Sequence, residues 1–90
     1  MANEDILRIA IKKYGIPSQE RQTVEECSEL ILAISHKQRG REHNLIEEIA
    51  DIEIMLEQLK IINDCHDNVE AVKQLKIKRL FRRVFGIEEE

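Results

Sequence analysis

Apolar residues recur at intervals of three and four along most of this chain, which is the spacing of one face of an α-helix. Glycines and short polar stretches interrupt the pattern at three places. Ser18 is a candidate N-cap, and the pairs Asn44–Glu47 and Asp67–Glu70 have the spacing of capping boxes. The pattern therefore predicts four helices, over residues 4–14, 19–38, 44–63 and 67–85, with the final acids Glu88–Glu90 as a frayed tail.

The two central predicted helices are apolar over most of their circumference, which predicts burial from several directions. The third helix has a seam close to a heptad repeat, and the second has one apolar stripe with further apolar residues beside it. The seam consists of Leu45, Ile49, Ile52, Leu56 and Leu59, and the stripe of Val24, Cys27, Leu30, Ile31 and Ile34.

Length and composition favour a single all-α domain over residues 1–90. The chain has one proline, three glycines and 36% charged residues, and its aromatic content of 3% requires an aliphatic core. A helical domain of this size is marginal as a monomer. We therefore expect a bundle that is completed by homo-oligomerisation, as a homodimer or homotetramer.

Charge is distributed unevenly along the chain. The net charge of -4 argues against general nucleic-acid binding, although six of the 14 basic residues lie between Lys73 and Arg83. Cys27 and Cys65 have no metal or redox spacing, so they are interpreted as thiols of a reducing cytosol. There is no signal peptide and no apolar run long enough to span a membrane. A cytoplasmic location without membrane association is expected.

Four acids interrupt the apolar pattern of the central helices. Glu26 and Glu29 are three residues apart and so share a helix face, as do Glu48 and Asp51. If the two helices form an antiparallel hairpin, these pairs face each other and repel, and a divalent cation with oxygen ligands would neutralise them. The alternative from spacing alone is a solvated acidic face.

The acidic pattern resembles that of the MazG-like all-α nucleoside triphosphate pyrophosphatases. Glu-x-x-Glu at residues 26–29, eighteen intervening residues and Glu-x-x-Asp at residues 48–51 are similar to that family's motif. The segments EECSELILAI and EEIADIEIMLEQL resemble its two core helices, and KQRGREHN its inter-helix loop. The resemblance implies a four-helix MazG-like bundle that hydrolyses a (d)NTP to a (d)NMP and pyrophosphate in nucleotide-pool house-cleaning. It also implies Mg²⁺, with Mn²⁺ as a substitute, bound by Glu26, Glu29, Glu48 and Asp51.

Further residues are candidates for the remaining roles. Glu25 is the candidate for activating the attacking water. Lys76, Arg79 and Arg83 share one face of the fourth helix and are candidate phosphate contacts, as the resemblance also implies. Gln19, with Gln22, is a candidate for reading a nucleobase edge. For each of them the alternative is a solvated surface position.

Two other functions stay open. One is a phosphoribosyl-ATP pyrophosphatase, although the lysine-bearing stretch associated with that enzyme's first motif is missing, since Gln22-Thr23-Val24 precedes Glu25. The other is a non-catalytic nucleotide-binding or interaction module. Zinc is disfavoured because the histidines and cysteines fit no closed tetrahedral site.

Overall fold

The computed structural model describes residues 1–87 and confirms an all-α chain, with four helices and no strand in that range. The predicted tail Glu88–Glu90 lies outside the described residues. Each of the four helices is also too short or too polar to cross a membrane. The helices are α1 (Asn3–Tyr14), α2 (Ile16–Gln38), α3 (Leu45–Asn63) and α4 (His66–Val84).

The turn between α1 and α2 is tighter than the sequence pattern predicts. Gly15 has a φ of 90°, a conformation that favours glycine, and α2 begins directly after it at Ile16. Pro17 lies in the first turn of α2, where its missing N–H costs no hydrogen bond. The prediction of Ser18 as the N-cap is therefore wrong, because Ser18 lies inside the helix.

The other two capping predictions are also wrong in their chemistry. Asn44 is the N-cap residue of α3, but its side chain makes no capping hydrogen bond and donates instead to Glu48. Helix α4 begins at His66, after Cys65, so Asp67 lies in its first turn rather than at its cap.

Helices α2 and α3 form an antiparallel hairpin, and α1 packs across both of them. The buried face of α2 consists of Gln19, Thr23 and Ala33. On α3 the buried residues are Glu48, Ile52, Met55 and Gln58. Ala33, Ile52 and Met55 are the only buried hydrophobic residues within the described range. The interface within the hairpin is therefore largely polar.

The predicted apolar stripe of α2 lies on the outside of the hairpin. Val24 is 69% exposed and Ile31 is 68% exposed. The predicted seam of α3 is confirmed only in part. Ile52 is buried, whereas Ile49 and Leu56 are exposed. Periodicity identified the apolar faces, but the hairpin turns its acidic and amide-bearing faces inward.

Helix α4 extends away from the other three helices. It contacts α3 but neither α1 nor α2, and none of its residues is buried. The radius of gyration is 16.6 Å, whereas a compact chain of this length has about 12 Å. The chain thus exposes apolar surface on α2, α3 and α4 together.

Candidate metal centre

The antiparallel hairpin brings the predicted acids of α2 and α3 to one level. Glu26, Glu29 and Glu48 each place a carboxylate oxygen within 4.8 Å of the others. Asp51 lies beside Glu26, close enough to raise its pKa. The structure therefore brings together the four carboxylates that the sequence singled out, three of them in one tight cluster.

Two oxygens of this cluster are buried without a hydrogen-bond partner in the described chain, namely Oε2 of Glu26 and Oε2 of Glu48. The other oxygen of each carboxylate accepts from an amide. Gln22 Nε2 donates to Glu26 Oε1 at 2.9 Å, and Asn44 Nδ2 donates to Glu48 Oε1 at 2.8 Å. The amides thus fix the orientation of both carboxylates and leave one oxygen of each available for a ligand.

The electrostatics of the cluster disfavour its ionised form. Burial raises the pKa of Glu48, and repulsion from Glu29, Glu26 and Asp51 raises it further. Burial also raises the pKa of Glu26, against the opposing hydrogen bond from Gln22, and repulsion from Glu29 and Asp51 adds to the increase. A cation placed among these oxygens would lower the pKa values of both glutamates.

The arrangement fits a hard divalent cation. Mg²⁺ takes oxygen ligands at about 2.1 Å, which places neighbouring ligand oxygens about 3–4 Å apart. The three carboxylate oxygens, all within 4.8 Å of one another, lie close to this range. Four carboxylates also carry enough negative charge for a second ion. Beside the cluster lies an open cleft of about 320 Å³, lined by Glu29, Leu32, Ala33, His36, Asn44 and Glu48.

The other predicted site residues lie apart from the cluster. Glu25 is exposed on α2. Lys76, Arg79 and Arg83 are exposed on α4, which does not contact α2, so one chain does not bring them against the carboxylates. Gln19 is buried against α3, where it hydrogen-bonds to Gln58. Their roles toward a substrate stay predictions.

Asn44 and Gln58 were not identified as site residues from the sequence, although Asn44 hydrogen-bonds to Glu48 and Gln58 to Gln19. Asn44 carried a capping interpretation, and Gln58 is one polar residue among many on a charged helix. Gln22 was considered for a nucleobase, whereas the structure places its amide on Glu26. The spacing from Asn44 to Glu48, one helical turn, was the available signal for that contact.

Comparisons of the chain with models of protein families, with curated proteins and with solved structures gave no match. The function is therefore inferred from the geometry of the site and from the motif in the sequence.

Proposed function

We propose that this protein is a Mg²⁺-dependent nucleoside triphosphate pyrophosphohydrolase. The observation that carries the proposal is the cluster of Glu26, Glu29 and Glu48, with its two buried and unpartnered carboxylate oxygens. Such a cluster is costly unless a cation neutralises it. The resemblance of the Glu-x-x-Glu and Glu-x-x-Asp motifs to MazG-like pyrophosphatases supports a nucleotide as the substrate.

In this proposal the four carboxylates of α2 and α3 hold the metal. Bound Mg²⁺ would supply charge neutralisation for the phosphates and a lowered pKa for a water molecule. Water attacks the triphosphate and the bond between the α- and β-phosphates breaks, giving a nucleoside monophosphate and pyrophosphate. Glu25, which is exposed on α2 and adjoins Glu26 in the sequence, would accept the proton of the water.

The amides of Gln22 and Asn44 have a supporting role in the proposal. Each donates to one oxygen of a carboxylate that holds the metal. Such contacts to metal ligands commonly change affinity by about 10–100-fold. They keep the unpartnered oxygens directed into the cluster before a metal binds.

The proposal includes a homo-oligomer. The accessible surface of the chain is 7442 Å², whereas a compact monomer of this mass exposes about 5,500 Å². The excess is about 1,900 Å² per copy, or about 3,800 Å² for two copies, which falls within the 2,000–5,000 Å² that obligate dimers bury in total. A second copy would cover the exposed apolar residues of α2 and α4 and could bring its Lys76, Arg79 and Arg83 toward the phosphates.

The proposed activity is tested with a panel of canonical and modified (d)NTPs and phosphoribosyl-ATP, in Mg²⁺, scored for pyrophosphate and orthophosphate separately. We expect pyrophosphate release from at least one (d)NTP and its loss in Glu29→Ala. Turnover of phosphoribosyl-ATP alone would identify the other pyrophosphatase. Binding of a non-hydrolysable analogue without turnover of any substrate would indicate a non-catalytic module and contradict the proposal.

A further inference from the structure

One neutral hydrogen-bonded pair joins the two helices that carry the acids. Gln19 Nε2 donates to Gln58 Oε1 at 2.7 Å, with the two residues 8% and 4% exposed. Within residues 1–87, no other pair of uncharged side chains forms a hydrogen bond between α2 and α3. A buried amide without a partner is costly, so this pair strongly favours arrangements in which both side chains meet.

The amide pair lies in the same register as the carboxylates. The residue numbers in the pairs Gln19–Gln58, Glu26–Asp51 and Glu29–Glu48 add up to the same total, as they do in an antiparallel hairpin with one uniform register. Gln19 precedes Glu26 by seven residues, and Gln58 follows Asp51 by seven residues. This is two helical turns, or about 10 Å along the helix axis.

Repulsion among the acids disfavours the observed register of α2 against α3. Repulsion among them is relieved if α3 slides along α2 or if the open end of the hairpin splays. The short link of residues 39–44 restrains the closed end. Along their helices, the buried residues nearest to the amide pair at the open end are Thr23 and Met55. The Thr23 hydroxyl donates to Gln19 O of its own helix, and Met55 has a flexible side chain.

We propose that Gln19 and Gln58 are a positioning pair that fixes the register of α2 against α3 and thereby holds the four carboxylates at one level. A slip of one turn, about 5.4 Å, would separate the amides and leave both buried without partners. Apolar side chains at these positions would tolerate sliding, whereas a buried polar pair specifies one alignment. The consequence for metal binding rests on the proposed function, but the consequence for register does not.

The register of α2 against α3 is measured on the intact protein, with nitroxide labels attached to its two natural cysteines. Cys27 is exposed on α2, and Cys65 follows the end of α3. Labelled chains are diluted with unlabelled protein, so that pulsed dipolar spectroscopy reports only distances within one chain. We expect a single narrow distance in the natural protein. In the double variant Gln19→Met and Gln58→Met, whose side chains match glutamine in length, the distance should broaden or shift by about 5 Å.

Mg²⁺ titration of the same proteins provides the second readout. We expect the double variant to bind Mg²⁺ about tenfold more weakly or worse, with an undiminished melting temperature, because apolar replacements remove no packing. A purely structural pair would not separate these two quantities. Gln74→Met is the matched control, since Gln74 is exposed on α4 and bonds only to Glu70 in the described chain. A leucine pair at positions 19 and 58 replaces the methionine pair if that variant does not fold.

An unchanged narrow distance in the folded double variant would overturn the proposal. An unchanged distance with altered nucleotide preference would instead make the pair a direct contact of the base, which also overturns it. A shifted distance in a protein that binds no Mg²⁺ in its natural form would support the positioning pair and refute the proposed metal-dependent function.

Discussion

At the scale of single residues, the carboxylates of Glu26 and Glu48 combine burial of an oxygen with repulsion from neighbouring acids. Each has one oxygen held by an amide and one buried oxygen without a partner in the described range. Such an arrangement persists when a ligand compensates for its cost. Both residues were identifiable from the sequence because they interrupt apolar helices at a spacing of three from a second acid. Their amide partners were not identified, although each amide lies one helical turn before its carboxylate.

The orientation of Glu48 by Asn44 leads to a prediction for metal affinity. Replacing Asn44 with serine keeps a residue that is favourable at an N-cap but removes the amide that donates to Glu48. We expect Mg²⁺ affinity to fall by about 10–100-fold, with the helix content unchanged. Calorimetric titration and circular dichroism measure the two quantities. Equal affinity in the variant would show that Asn44 does not orient a ligand.

The raised pKa values of Glu26 and Glu48 predict how stability depends on pH. Between the ordinary glutamate pKa of 4.5 and the raised pKa values, the folded chain binds more protons than the unfolded chain. In that window the free energy of unfolding of the metal-free protein therefore decreases as the pH rises. We expect a higher melting temperature near pH 5 than at neutral pH in EDTA, and a smaller difference in excess Mg²⁺.

Glu57 acts in the opposite direction, in the pH range below this window. Its hydrogen bond with His66 and its ion pair with Lys60 lower its pKa, so that its contribution is lost as the pH falls through that lowered value. Stability should therefore pass through a maximum on the acid side of neutrality. A melting temperature in EDTA that rises steadily from pH 5 to pH 7.5 would contradict this assignment.

At the scale of elements, the connection between α3 and α4 depends on few contacts. Glu57 on α3 lies 2.6 Å from His66 Nε2 and 3.2 Å from Lys60 Nζ, and α4 contacts no other helix in the described chain. In Glu57→Gln we expect faster amide hydrogen exchange at Val69 and in the turn that follows it, where the hydrogen bonds of α4 begin. The free energy of unfolding should change by less than about 1 kcal/mol, because these groups are partly solvated. Unchanged exchange in α4 would show that the contact does not restrain it.

The sequence predicted the existence and the approximate length of all four helices. Glycines and polar links mark their ends, and α3 was predicted within one residue. The predicted start of α2 was wrong by one turn. Proline is tolerated in the first turn of a helix, and Pro17 lies there, but the pattern of apolar residues does not reveal this. The apolar stripe of α2 was a wrong guide to the face that meets α3, whereas the acid pairs indicated that face. The largest apolar stripe is normally the buried one, whereas here Val24 and Ile31 face outward.

At the scale of the whole molecule, the exposed apolar surface predicts self-association. Val69, Val72 and Leu80 form an exposed ridge along α4, and Leu80 is 54% exposed. We expect light scattering to give a mass that is a multiple of 10.6 kDa. Leu80→Glu should move the mass toward that of one chain, because it places a charge on the ridge.

Lys78→Glu provides the control for that variant, since Lys78 lies on nearly the opposite face of α4. It should leave the mass unchanged. A monomeric natural protein at micromolar concentration would contradict the homo-oligomer and would leave Lys76, Arg79 and Arg83 without a route to the carboxylates.

The carboxylates of α2 and α3 are proposed to bind a divalent cation. Calorimetric titration of Mg²⁺ into the natural protein, Glu48→Gln and Glu47→Gln tests this binding. Glu48 is 5% exposed within the cluster, whereas its neighbour Glu47 is exposed on the same helix. We predict saturable binding to the natural protein and to Glu47→Gln. In Glu48→Gln that binding should be lost, and the metal-free melting temperature should rise as repulsion is removed. Equal titrations for Glu48→Gln and the natural protein, or no binding to either, would contradict the claim.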